Sequence, residues 1–150
     1  MIKTAKYFFE AILIYSFFFI AKIIGLKFSR KVFSKIFKLV GPIIKSNNTA
    51  IKNLNRFSNN LSKKEMKDIL DNMWSNYGMT FVEYIFLKKF NKENLHINIE
   101  GERFLEEIAN NKKPVIFVSG HFANFELMSI EISKKKINLA TIYRPLNNLF

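Results

Sequence analysis

The sequence predicts an α/β protein, with an N-terminal membrane helix and helical region followed by the first strands of a parallel or mixed sheet with flanking helices. Three observations carry that expectation. An apolar run near the amino terminus is long enough to cross a bilayer as a helix. A capped stretch of helical period begins at Ser62. From Leu95 onward, strand-like and helix-like segments alternate in the order β-α-β-α-β. The expected division is residues 1–45, an anchor and basic amphipathic segment, and residues 46–150, the beginning of an α/β domain.

The apolar run extends from Tyr7 to Leu26, 20 positions interrupted only by Glu10 and Lys22. A helix of that length is about 30 Å long, close to the thickness of a hydrocarbon core. Lys22 lies near one end, where its stem can snorkel, and Lys6 is placed to pair with Glu10 one turn away. No small-residue cleavage site follows, which argues against a removed signal peptide. Beyond the run come Lys27, Arg30, Lys31, Lys35 and Lys38, against only Lys3, Lys6 and the amino terminus before it. The heavier positive flank favours a cytoplasmic location for the rest of the chain. A spanning anchor is the leading reading, ahead of an interfacial helix and a buried core helix. Val32–Ile44 reads as a basic amphipathic helix stopped by Gly41-Pro42.

The formal net charge is +12. Residues 1–60 hold 11 Lys/Arg and one acid, whereas residues 61–150 hold 13 Lys/Arg and 11 acids. The excess therefore belongs to the N-terminal segment, where it suits anionic lipid or an acidic protein. Of the 24 cations 20 are lysine, a profile that codon bias can produce, although bias does not explain the skew. No helix-turn-helix, zinc-finger or RNP pattern accompanies the charge, so a nucleic-acid partner is not expected. With no cysteine, disulfides and thiolate chemistry are excluded.

Ile51–Leu61 is Asn-rich and ambiguous. Ser62-Lys63-Lys64-Glu65 is a capping box, and Met66, Ile69, Leu70, Met73 and Trp74 follow at helical spacing. A further helical stretch is expected from about Asn76 to Leu87. Leu95, Ile97 and Ile99 then alternate with His96, Asn98 and Glu100, as on a strand with His96 facing solvent. Gly101 turns the chain. Phe104, Leu105 and Ile108 fit a short helix ended by Asn110-Asn111. Val115–Val118 is a continuous apolar run suited to a strand buried on both faces. A helix over about Asn124–Ser133 and a strand over Ile137–Tyr143 complete the order.

Ser119-Gly120-His121 falls where the presumed strand hands over to the helix, and open α/β sheets place ligands at such points. Five residues along a helix rotate about 500°, or about 140° net. His121 and Glu126 can therefore meet only if His121 precedes the helix and Glu126 lies in its first turn. Gly120 frees the backbone, and Asn124 is a suitable N-cap for that arrangement. A carboxylate on one imidazole nitrogen leaves the other free to take a proton from a hydroxyl. No Gly-x-Ser-x-Gly elbow is present, so the chemistry expected is direct activation of an acceptor hydroxyl, with first-turn amides facing a developing oxyanion. Further ligands at metal-binding spacing are lacking, and neither metal nor cofactor is expected.

The block from Val115 to Leu127, reading VIFVSGHFANFEL, closely resembles the H-x4-E block of the bacterial lipid A biosynthesis acyltransferases. Their usual form is G-H-F-G-N-W-E, so Ala123 stands where glycine is common and Phe125 where tryptophan is common. Tyr143–Asn148 resembles the family's Y-R-P-x-x-N segment, and Asn72–Gly78 with Glu83 its mid-chain helices. The resemblance implies that His121 is the catalytic base and Glu126 its orienting partner. It further implies that Asn124 and Arg144 bind substrate, that acyl carrier protein delivers the acyl group, and that a lipid A precursor or related glycolipid accepts it at the cytoplasmic face of the inner membrane. Family members are longer, so the chain is expected to be the N-terminal part of such an enzyme. The competing expectation is a membrane-associated fragment that has lost catalysis.

Overall fold

The computed structural model describes residues 2–58, 60–92 and 97–142. It divides into two compact units, Ala21–Tyr84 and Met1–Ile20 with Ile85–Phe150. Helix α1 (Ile2–Ile44) contributes to both.

In α1 the apolar run and the expected amphipathic helix form one element, long and apolar enough to cross a membrane by length and composition. Lys6 and Glu10 form the expected i,i+4 pair at 3.7 Å. Two features depart from the sequence expectation. The helix breaks inside the apolar run at Gly25, whose φ of 75° and ψ of 164° are accessible essentially to glycine alone. It does not stop at Gly41-Pro42 but continues to Ile44, with the Lys45 amide donating to the Gly41 carbonyl at 2.9 Å. Pro42 has no amide hydrogen to give the Lys38 carbonyl, so the last turn of α1 is kept at the loss of that one helical bond.

Within Ala21–Tyr84, the later part of α1 packs on α3 (Lys63–Glu83), which also contacts α2 (Asn48–Phe57). The Asn-rich stretch of ambiguous reading thus forms most of α2. Helix α3 starts as the sequence predicts: Ser62 Oγ accepts from the Glu65 amide at 3.2 Å, and the Glu65 carboxylate accepts from the Ser62 amide at 2.8 Å. The core contains Leu26, Phe33, Leu70, Trp74 and Val82. Phe33 stacks on Phe81 with ring centroids 6.0 Å apart, and Phe37 packs against the same ring at a tilt, 5.5 Å away. Gly78 allows the backbones to touch, because a Cβ there would land on the Phe33 carbonyl. Polar links close the unit: Arg30 Nε to Glu83 at 2.9 Å, the Ser34 and Ser75 hydroxyls at 2.6 Å, and Trp74 Nε1 donating to Asn47 Oδ1 at 2.7 Å.

The other unit holds a 3-10 turn (Tyr84–Phe86, shared at its edge), α4 (Leu87–Lys92), α5 (Glu102–Asn111) and α6 (Glu126–Lys134). Helix α4 packs on α6 around Phe90 and Ile132, both fully buried. The two short helices expected from the sequence, α5 and α6, are present close to their expected positions. The sheet is not. Among the described residues there is no strand, so the α/β expectation is corrected to an all-helical architecture. Residues 97–99, 112–122 and 137–142 are irregular. Ile116 and Val118 are each 90% exposed, the opposite of a strand buried on both faces. The physical reason is that a strand is completed by a ladder partner. β-Branched composition supplies a surface that fits a sheet, not the pairing that makes one. Left-handed Lys112 and Lys136, at φ 52° and 57°, instead end α5 and α6 and lead into the unpaired segments. Leu95, His96 and Tyr143 lie outside the described residues.

Candidate active site

The segment between α5 and α6 carries the chemistry-bearing residues. The Phe122 amide donates to the Gly120 carbonyl at 2.8 Å, which closes a three-residue turn centred on His121. Ala123 follows in the left-handed region at φ 45°. Asn124 is buried, 8% exposed, and its carbonyl accepts from the Leu127 amide at 3.2 Å. Phe125 takes the N-cap position, with its carbonyl accepting from the Met128 amide at 3.2 Å. The cap thus falls one residue later than the Asn124 the sequence predicts. Asn124 turns inward, and no side-chain cap bond forms at the start of α6.

His121 lies in the irregular segment and is exposed, while Glu126 opens the first turn of α6 and is half-buried. The two side chains are not joined. The His121 imidazole rests on the Phe125 ring, centroids 4.5 Å apart at an interplanar angle of 58°. No hydrogen bond or ion pair links His121 to Glu126 among the described residues. Sequence spacing sees which residues can meet; it does not see that the His121 ring packs on Phe125 instead of turning to Glu126. Arg144, the other substrate-binding candidate, lies outside the described residues, as does His96. Among the described residues no group of three His, Asp or Glu side chains is placed to hold a metal ion.

Helix α6 is held firmly behind this turn. Lys134 Nζ donates to the Phe90 carbonyl at 2.9 Å and to Glu131 at 2.6 Å. Lys135 ties α6 to α5 through Glu102 at 2.7 Å and Glu106 at 3.0 Å. Glu102 and then Glu106 hold the Lys135 ammonium above its usual range. Between the two helices lies a cavity of about 390 Å³, lined by Ile99, Phe104, Ile108, Phe117, Leu127 and Met128 among others. The sequence reading puts Phe104 and Ile108 on a short helix and Ile99 and Phe117 on strands, and assigns none of them to a cavity. Their spacing is the same whether they face a neighbour or a void, so no sequence signal distinguishes the two. His121 and Glu126 do not line this cavity.

A family model described as bacterial lipid A biosynthesis acyltransferase matches residues 2–150. No curated protein and no solved structure matches the chain.

Proposed function

The chain belongs to the bacterial lipid A biosynthesis acyltransferase family, and from that premise we propose that it moves a fatty acyl chain from an acyl carrier protein thioester to a hydroxyl of a lipid A precursor or related glycolipid. The observation that carries this reading is the family match together with the placement of His121 ahead of α6 and Glu126 in its first turn.

In this mechanism the imidazole leaves Phe125 and takes its orientation from the Glu126 carboxylate. Its free nitrogen accepts the proton of the acceptor hydroxyl, whose oxygen attacks the thioester carbonyl. The resulting oxyanion is met by the amides of Phe125 and Glu126, since those of Leu127 and Met128 are already engaged within the turn. Collapse breaks the carbon–sulfur bond, and the leaving thiolate recovers the proton from the imidazolium. The ester forms with no covalent acyl-enzyme. Asn124 fixes the turn and meets the substrate from beneath it, and Arg144 contacts a phosphate or sugar of the acceptor. The basic flank after the apolar run supports an inner-membrane location with the catalytic part on the cytoplasmic side.

Lipid A mass spectrometry on cells with and without the intact gene tests the activity, and His121→Ala tests the base. Losing a positioned general base lowers transfer by roughly 10²–10⁴-fold, with membrane association unchanged. Undiminished transfer by His121→Ala and by the His121→Ala, Glu126→Ala double variant would refute the catalytic roles.

A further inference from the structure

A second cavity, of about 420 Å³, lies within the Ala21–Tyr84 unit, where the end of α1 meets α2 and α3. That volume falls within the range of small-molecule sites. Its lining includes Lys45, Ser46, Asn47, Asn53, Trp74 and Tyr77. The described lining residues supply one cation and several hydroxyl and amide groups beside aromatic walls, with no carboxylate. The wider setting has the same sign. No acid occurs between Glu10 and Glu65, while Lys35, Lys52 and Arg56 are exposed around the cavity's helices. Immediately before Lys45, Ile43 and Ile44 are 83% and 79% exposed. A nucleic acid has no use for paired exposed isoleucines, whereas aliphatic side chains followed directly by a lysine match the boundary between acyl chains and headgroups.

We propose that this cavity seats the anionic headgroup of a membrane phospholipid, with Lys45 facing the phosphate, Asn47 and Asn53 its hydroxyl-bearing end, and Ile43 and Ile44 the acyl region. The inference rests on α1 meeting a membrane but not on acyl transfer. Lys45 has no acidic partner among the described residues, so its charge is available to the ligand.

Trp74 is the sole tryptophan and lines the cavity, so its fluorescence reports occupancy directly. The whole chain, in neutral detergent, is titrated with short-chain phosphatidylglycerol, short-chain phosphatidylcholine, glycerol phosphate and inorganic phosphate. The expected result is a saturable change with phosphatidylglycerol and none with phosphatidylcholine. Lys45→Gln weakens the response about fivefold, as expected for one cation at an anionic surface, and Lys112→Gln, in the other unit and not among the cavity's lining residues, leaves it unchanged. Circular dichroism shows that both variants keep their helix content. An equal response to phosphatidylcholine, or indifference to Lys45→Gln, overturns the proposal. Saturation by glycerol phosphate or inorganic phosphate at the same concentrations assigns the cavity to a free phosphate and also overturns it. A response confined to an acidic protein such as acyl carrier protein does the same in favour of a protein partner. Sedimentation with neutral vesicles tests the membrane reading of α1 separately.

Discussion

Replacing Ala123 by glycine reverses the usual sign of an alanine-to-glycine change. Ala123 sits at φ 45°, between the turn on His121 and the cap of α6. A left-handed backbone brings the Cβ against the following carbonyl and costs roughly 1–2 kcal/mol for an L-residue. Glycine removes that cost but gives the unfolded chain more freedom, a loss of about 0.4–1 kcal/mol. The balance is a gain of about 0.5–1 kcal/mol and a rise in Tm of a few degrees. Ala109, inside α5, is the internal reference: there the same substitution loses about 1 kcal/mol of helix stability. Thermal unfolding of both variants in detergent, followed by circular dichroism, decides the matter. If Ala123→Gly destabilises the chain as Ala109→Gly does, the left-handed turn ahead of α6 is wrong. The resemblance noted in the sequence gives the prediction a second side, since glycine is the residue commonly found at this position in the family. Ala123→Gly is accordingly expected to leave the proposed acyl transfer unchanged.

Gly78→Ala tests the close approach of α3 to α1. Alanine gains about 1 kcal/mol of helix propensity, but its Cβ would meet the Phe33 carbonyl and lie 2.9 Å from Phe37 Cβ. Backbone cannot yield as a side-chain tip does, so overpacking of about 1–3 kcal/mol prevails and chemical denaturation shows a net loss. Gly25→Ala meets no atom within 4 Å, yet its backbone conformation costs about 1–3 kcal/mol for alanine; an unchanged Tm would mean that the helix is not broken there. Ser62→Ala removes the α3 cap and lowers Tm by several degrees. The Glu65 carboxyl is held below its usual range by the Ser62 hydroxyl and then by the Ser62 amide. Its contribution is therefore complete above the ordinary carboxylate pKa and is lost as pH falls through the lower folded value. A stability–pH profile of Ser62→Ala is correspondingly flatter on the acid side than that of the parent.

What was legible in the sequence was what local bonds decide. The Ser62–Glu65 box is settled within four residues, and the starts and ends of α5 and α6 within a turn or so. The missed elements depend on something else. Residues 97–99 and 115–118 have strand composition, but a strand takes its identity from a neighbour that composition does not name. The break at Gly25 lay hidden in a run whose hydropathy continues across it, although a lone glycine among isoleucine and leucine was a usable signal. At the candidate site, spacing gave the correct order of loop histidine and first-turn glutamate. It gave no view of the His121–Phe125 contact, a choice between two neighbours of one imidazole that only side-chain geometry records.

The break in α1 also bears on how deep in a bilayer it can lie. An interrupted helix leaves carbonyls without their usual donors, and in hydrocarbon each costs several kcal/mol. Here the fully buried Ser29 hydroxyl reaches back eight residues across Gly25 to the Ala21 carbonyl, at 3.0 Å. A side chain from beyond the break thus repairs the backbone before it, and the interruption carries its own donor rather than relying on water. Before Gly25 the helix is about 34 Å long at 1.5 Å per residue, enough to cross the apolar layer unaided. In a bilayer spanned by that length, the self-sealed break would fall at the rim of the layer, where Lys27, Arg30 and Lys31 begin, and Ser29 would be the residue that lets the chain change direction where water is scarce.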